Sequence, residues 1–424
     1  MKMRSKTILA AAMLMLASGV ANAGTTLSML VDTNQESTAI IDALTKAYNA
    51  KNPDISFDIE QRPGGSEGDN MIKTRLATGE MSDIFQYNSG SLFQAIKPEQ
   101  TLADLSDLKS QANILPVFKN VVTDASGHVR GIPAGPAMGG GIFYNRKVYA
   151  DLGLKVPKTW AEFMENNAKI KAAGKVAVAQ TYGDTWTSQL FVLADFYNVQ
   201  AQAPNFAADY TANKAKYATT PAAGRGFEHL EEVFKGGFTN PDFGAAKFDD
   251  GMRMVASGEA AHYPMLTFGI GNVQQNNPDK VKDLGFFAQP GDDVSKNGLT
   301  VWMPSALYIP AQSKHIEEAK AFLDWAGSKE ACELMAKVVP SGPYLVKDCQ
   351  LPKDIPPAVA DMLPYFEKDG MTAPALEFLS PIKGPALEQI TVEVGSGIRS
   401  AKDAAALYDQ DVEKQAKQLG LPNW

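Results

Sequence analysis

Apolar residues beyond position 24 change their spacing several times, and each change marks an element boundary. Thr25 to Val31 is a short, largely apolar run that Asp32-Thr33-Asn34-Gln35 interrupts, a strand followed by a polar turn. From Ser37 the apolar positions fall at Ile40, Ile41, Leu44, Ala47 and Tyr48, which predicts a helix with one buried face. Asn52-Pro53-Asp54 stops it, and Ile55, Phe57 and Ile59 then alternate with Ser56 and Asp58 as a second strand. After Pro63-Gly64-Gly65-Ser66 come a helix holding Met71, Ile72 and Leu76, a stop at Gly79, and a third strand over Asp83 to Tyr87. The order β-α-β-α-β predicts an α/β fold whose strand ends carry loops free for a ligand.

Gly131-Ile132-Pro133-Ala134-Gly135-Pro136 and then Gly139-Gly140-Gly141 interrupt this pattern and read as a crossing between domains. A strand at Ile142 to Asn145 follows, then a short helix near Val148 to Leu152. Thr159-Trp160-Ala161-Glu162 has capping-box spacing and opens a helix through Phe163 and Ile170. Helices are expected from about Trp186 to Asn198, near Phe227 to Phe234, and from Phe248 to Ala256. The second half is therefore the more helical.

Residues 1–23 stand apart. Lys2, Arg4 and Lys6 precede an apolar run from Ile8 to Ala17, and Ala21-Asn22-Ala23 comes before Gly24, the pattern of a cleavable export signal. The run is shorter than the roughly 20 residues that span a bilayer. No cysteine follows the cleavage site, so a soluble chain without a lipid anchor, in a Gram-negative periplasm, is the expectation.

Without the signal the chain still exceeds the size at which one core stops growing, which predicts two domains. A formal charge of −8, more negative still once the signal's cations are removed, argues against nucleic acid as a partner. Cys332 and Cys349 could close a disulfide in an oxidising compartment, or remain two buried thiols. His128, His229, His262 and His315 show no metal-ligand spacing, so neither a metal nor a cofactor is expected. There is no His-Glu-x-x-His and no Gly-x-x-x-x-Gly-Lys-Ser/Thr, and the glycines at 64, 65 and 68 read as a flexible loop rather than a phosphate cradle. Paired carboxylates for glycoside hydrolysis leave no sequence signature, so an exported hydrolase or lyase stays open as an alternative.

Several segments together resemble the extracellular solute-binding proteins of ABC importers, in the carbohydrate-binding group that includes maltose-binding protein. They are Tyr48 with Asn52-Pro53-Asp54-Ile55, Leu76-Ala77-Thr78-Gly79 with Ser82-Asp83-Ile84, and Tyr144-Asn145 with Leu152-Gly153-Leu154. Further on come Val156 to Phe163, Phe248 to Met254 with Ser257-Gly258-Glu259-Ala260-Ala261, and Ala319-Lys320-Ala321-Phe322-Leu323. The resemblance implies two α/β lobes joined by hinge crossings, closing over a carbohydrate and docking on a membrane permease, with no catalysis and a monomeric chain. Crossings near 133–139, 262–268 and 324–329 would make lobe one 24–134 plus 267–326 and lobe two 138–264 plus 330–424. Within the same fold, a polyamine or glycerol phosphate is the alternative solute.

Sugars offer apolar ring faces and hydroxyl rims, so aromatic residues beside carboxylates, amides and Arg are the expected contacts. In lobe one these are Asp32, Asn34, Gln35 and Glu36 after the first strand, Arg62 after the second, and Tyr87, Asn88 and Ser89 after the third. Tyr87 aligns loosely with an aromatic contact of the family but has no acid-arginine pair beside it. In lobe two, Tyr182, Asp184 and Trp186 fall where the resemblance implies a contact loop, with helix capping and core packing as alternatives. Tyr263, Met265 and Phe268 at the second crossing, Trp302, and Tyr344 complete the candidates. Trp160 and Trp325 lie at core spacing and read as structural.

Overall fold

The computed structural model describes residues 24–424, so the export-signal expectation lies outside the described residues. Eleven strands follow in chain order among them: β1 (Thr25–Asp32), β2 (Ile55–Arg62), β3 (Ile84–Tyr87), β4 (Gly131–Pro133), β5 (Met138–Asn145), β6 (Val176–Val178), β7 (Ala260–Leu266), β8 (Leu284–Ala288), β9 (Leu299–Trp302), β10 (Ala306–Tyr308) and β11 (Thr372–Pro374). They form two sheets. The first has the order β2-β1-β3-β10-β4, with β1, β2 and β3 parallel and β10 antiparallel to its neighbours. In the second, β5 is the hub: it pairs antiparallel with β7, β8 and β9, and β6 and β11 extend the edges.

The βαβαβ start is as the spacing predicts. Helix α1 (Gln35–Lys51) begins where the Asn34 side chain accepts from the Ser37 backbone N–H, and it buries Ile40, Ile41, Leu44 and Tyr48. Helix α2 (Gly65–Thr78) ends at Gly79, whose φ of 75° is the left-handed conformation that glycine adopts without strain. Strand β1, covered on both sides, carries Leu27, Met29, Leu30 and Val31, all buried, as a central parallel strand requires.

Expected features move at four places. The glycines at 139–141 are not a crossing but part of β5, which starts at Met138. The helix expected from Trp186 to Asn198 is broken into a 3-10 turn (Thr185–Gln189) and two short helices (Leu190–Leu193, Phe196–Gln202). The Thr300 hydroxyl explains the break: it donates to the Ala194 carbonyl at 2.7 Å and accepts from the Tyr197 N–H at 2.8 Å, groups an unbroken helix would spend internally.

The second crossing does not lie at 262–268. There the chain stays in the second sheet, and Thr267 closes onto Gly139 by exchanging hydrogen bonds with it. Residues 284–302, expected in lobe one, supply β8 and β9 to the second sheet, and the chain crosses between Trp302 and Ala306. The third crossing is not at 324–329 either. The second lobe holds helices α3 (Phe248–Ser257) and α4 (Gly269–Asn276), and two helices of the first lobe, α5 (Ile316–Ala326) and α6 (Lys329–Val338), meet at 324–329. Asp324 accepts from the Ser110 N–H at 2.7 Å, Ser328 caps α6, and Glu330 pairs with Lys51 of α1, so both helices stay on the first sheet. The crossing follows Cys349, before the helix Pro357–Glu367 that packs by β8.

Cys332 on α6 and Cys349 are joined by a disulfide, with Cα atoms 6.0 Å apart. Trp160 is buried, stacked 3.7 Å from the His229 ring with its Nε1 donating to Glu232, and is structural as expected. Replacing both cysteines, Cys332→Ser with Cys349→Ser, is expected to lower unfolding free energy by about 3 kcal/mol, the loop-closure scale for a loop of this length. Urea denaturation of the two proteins checks it, and an unchanged midpoint would refute it.

Candidate functional site

Between the two sheets, where β1, β2 and β3 end and the first two crossings pass, lies a cavity of about 500 Å³. Its size suits a small organic molecule. A smaller chamber of about 260 Å³ adjoins it, sharing Asp69, Leu92, Gln189, Lys383 and Glu388 as walls.

The first lobe contributes polar groups held rigid from below. Asp32, the last residue of β1, accepts from the Asn34 backbone N–H (3.0 Å) and side-chain amide (2.9 Å), and its other oxygen lies 3.5 Å from Arg62. Arg62 is buried, donates to the Pro63 and Gln86 carbonyls, and stacks over the Tyr87 ring at 5.7 Å. Its Nε has no protein partner. Gly68 leaves room for this arrangement, because a Cβ there would fall 2.5 Å from the Arg62 guanidinium and 2.0 Å from the Pro63 carbonyl oxygen. Ser89 donates to the Pro304 carbonyl, and the Asn88 carbonyl accepts from the Tyr308 hydroxyl, which fixes the loop after β3. Burial pushes the Asp69 carboxyl on α2 up, against the downward pull of Lys383, Lys73 and Arg62.

The second lobe contributes aromatic faces. Trp186 lies in the 3-10 turn with its ring 5.5 Å from Phe248 and 6.0 Å from Phe268, and Phe248 and Phe268 stack at 5.3 Å. Asp184 holds this group by accepting from the Phe248 N–H at 2.8 Å, capping α3 rather than the segment that follows it in sequence. Trp302 rests on the backbone of β5: a Cβ at Gly140 would fall 2.2 Å from the indole. Its Nε1 donates to Glu377, which also lies 3.4 Å from the Lys383 ammonium.

Of the residues expected at a ligand, Asp32, Asn34, Gln35, Glu36, Arg62, Asn88, Ser89, Asp184, Trp186, Phe268 and Trp302 line the cavity. Five do not. Tyr87 is fully buried beneath Arg62, so the acid-arginine pair missing from its sequence neighbourhood arrives from β1 and β2. Tyr182 packs on Phe243 with its ring against Gly395. Tyr263 and Met265 project from the face of β7 that packs on α3, Tyr263 donating to or accepting from Thr181 at 2.6 Å; Leu266, one residue on, faces the cavity instead. Tyr344 is spent behind the wall, donating to the Val339 carbonyl.

Phe248, Asp69, Gln189, Glu377 and Lys383 also line the cavity and were not expected there. Glu377 and Lys383 lie in a loop far along the chain with no local pattern to point to them. The glycines at 64, 65 and 68, read as a loop, also fit a Gly-x-Ser-x-Gly spacing around Ser66, at a strand-to-helix turn. Ser66 lines the smaller chamber and has no histidine partner among the described residues. His229 and His262 are fully buried in the second lobe, and His262 is bonded to Tyr149. Among the described residues no three His, Cys, Asp or Glu side chains are placed to hold a metal ion, and no helix is long and apolar enough to cross a membrane.

Residues 32–331 match the family model for bacterial extracellular solute-binding proteins. The chain is 24% identical to the "Multiple sugar-binding protein" of Streptococcus mutans serotype c, over 79% of this chain and 78% of that one. It is 25% identical to the "Melibiose/raffinose/stachyose-binding protein MelE" of Bacillus subtilis, over 72% and 71% of the two chains. Among solved structures a "Chitin oligosaccharide binding protein" superposes with a TM-score of 0.81 at 18% identity, covering 93% of this chain and 99% of the other, a likeness of fold.

Because Trp302 needs the bare backbone of Gly140, Gly140→Val is expected to lower stability by about 1 to 3 kcal/mol through overpacking. Urea unfolding reads the loss, and intrinsic fluorescence reads the displaced indole. Wild-type values in both would show that the ring does not depend on that glycine.

Proposed function

The chain belongs to the bacterial extracellular solute-binding proteins, and on that premise we propose that it is the carbohydrate receptor of an ABC importer. It captures a mono- or oligosaccharide between its lobes and delivers it to a membrane permease. The names of the two sugar-binding relatives support this solute class. The observation that carries it is the pairing of the Trp302 and Trp186 rings with the polar side chains of Asp32, Asn34, Glu36, Arg62 and Gln189 in one cavity wall. Aromatic faces suit the apolar faces of a pyranose, and the polar atoms suit its hydroxyl rim.

The charges argue against a phosphate ester and leave a polyamine as the alternative solute. A phosphate ester would need several free cations, yet Arg62 is paired with Asp32 and Lys383 with Glu377. A polyamine would pair with carboxylates: Asp184, Asp249 and Glu388 accept from neutral donors on Phe248, Asn272 and Thr185 and keep their charge, and Glu67 also lines the cavity. In this reading the protein binds without catalysis, as an exported periplasmic monomer that makes no use of nucleic acid or cofactor. Its lobes are 24–133 with 306–349 and 138–302 with 357–424. A ligand touching both lobes stabilises their closed arrangement and so shifts the population toward it.

Thermal unfolding with raffinose, stachyose, melibiose and chitotriose, and with spermidine and glycerol 3-phosphate as controls, tests the reading. A rise in Tm with a saccharide recovered unchanged is expected, by mass action on the native state. A rise only with a control, or turnover of a saccharide, would replace the proposal. Trp186→Ala and Trp302→Ala are each expected to weaken saccharide binding by about 1 to 3 kcal/mol, read by calorimetry; full affinity in both folded variants would remove the stacking contacts.

A further inference from the structure

Glu36 is the second residue of α1, and it lies where three segments of the hinge region meet. Its side chain is 7% exposed and forms part of the cavity wall. One carboxyl oxygen accepts from the Ser341 hydroxyl at 3.0 Å, and the other is buried with no protein partner. Gly271 of α4, from the second lobe, closes over it: a Cβ there would fall 3.5 Å from the Glu36 Cβ. Gly135, in the first crossing, lies on another side, where a Cβ would be 4.0 Å from the bonded oxygen.

No cation answers this carboxyl. The first crossing, Ala134-Gly135-Pro136-Ala137, and helix α4, Gly269–Asn276, contain no ionisable residue. From the third side come Ser341 and the Tyr344 phenol, whose hydroxyl is committed to Val339. On the N-terminal side of α1, Asp32 is like-charged and Arg62 is committed to it. The positive end of α1 favours a carboxylate here, but complete burial opposes it and is the larger effect.

We infer, resting on the receptor reading, that Glu36 is held as a carboxylic acid once the lobes close over the sugar, so that the protein takes up a proton as it binds. Burial pushes the Glu36 carboxyl up to about 8, with the Ser341 hydrogen bond pulling only part of the way back. With the lobes apart, Gly271 withdraws and water reaches the carboxyl, which then ionises near the ordinary glutamate value of about 4.3. Affinity is therefore greatest in acid, falls as pH rises between those two values, and levels off above the higher one.

The test is calorimetry of raffinose binding at pH 7 in phosphate and in Tris, whose different ionisation heats report the protons exchanged. Melibiose, stachyose and chitotriose are used in the same way. Uptake approaching one proton per sugar is expected, with Kd rising by up to about tenfold per pH unit between pH 6 and 8. Glu36→Gln keeps a donor but cannot titrate, so its proton uptake and its pH dependence should vanish. Ser341→Ala is the second variant. It removes a bond that favours the carboxylate, so the fall in affinity should move to higher pH. Binding with no proton uptake, or an uptake that survives in Glu36→Gln, overturns the role of Glu36 and leaves the receptor reading standing. A chain that binds none of the four saccharides removes both.

Discussion

The second lobe is organised around the bare backbone of one strand. β5 enters from the first crossing and carries hydrogen bonds to β7, β8 and β9 within eight residues. Its glycines leave the space above the strand empty, and a tryptophan fills it: Trp302 lies flat on Gly140. The same ring is the last residue of β9 and the start of the second crossing, so strand pairing, hinge and ligand platform share a single contact. Glu377 holds the indole from the far side, and with it the loop that brings Lys383 to the cavity.

The cavity carries many charges. Most of its carboxylates accept from backbone N–H groups, amides, hydroxyls or neighbouring cations, which orients them. A site of this kind is rigid and polar. Glu36 differs from them in being governed by burial instead of pairing.

Much of the fold was legible because local rules hold: the periodicity and the Gly79 stop of the first lobe and the Thr159 cap of the second match the elements observed. Polar residues placed at strand ends reached the cavity for the same reason, since strand ends in a parallel sheet converge. The failures were of register and of distance. Tyr263 and Met265 lie three residues and one residue from Leu266, and in a strand an odd offset is the difference between two faces. Gly139–Gly141 looked like a hinge because a glycine run has the same composition whether it bends a chain or clears room for a ring. Residues 284–302 carry no sign of the sheet they join, because their partner strand is more than a hundred residues away. Glu377 and Lys383 were invisible for a similar reason.

The chain passes between the lobes three times, and the first two passages are bonded to each other: the Ala134 N–H donates to the Ser305 carbonyl. Two bonded tethers resist translation and twist but bend together about a common line. The freedom left to the lobes is then close to one angular coordinate, and the open state is a narrow family of poses rather than a broad ensemble. A ligand arriving at either wall finds the other one hinge angle away, so little configurational entropy is lost in capture and the search that precedes it is short.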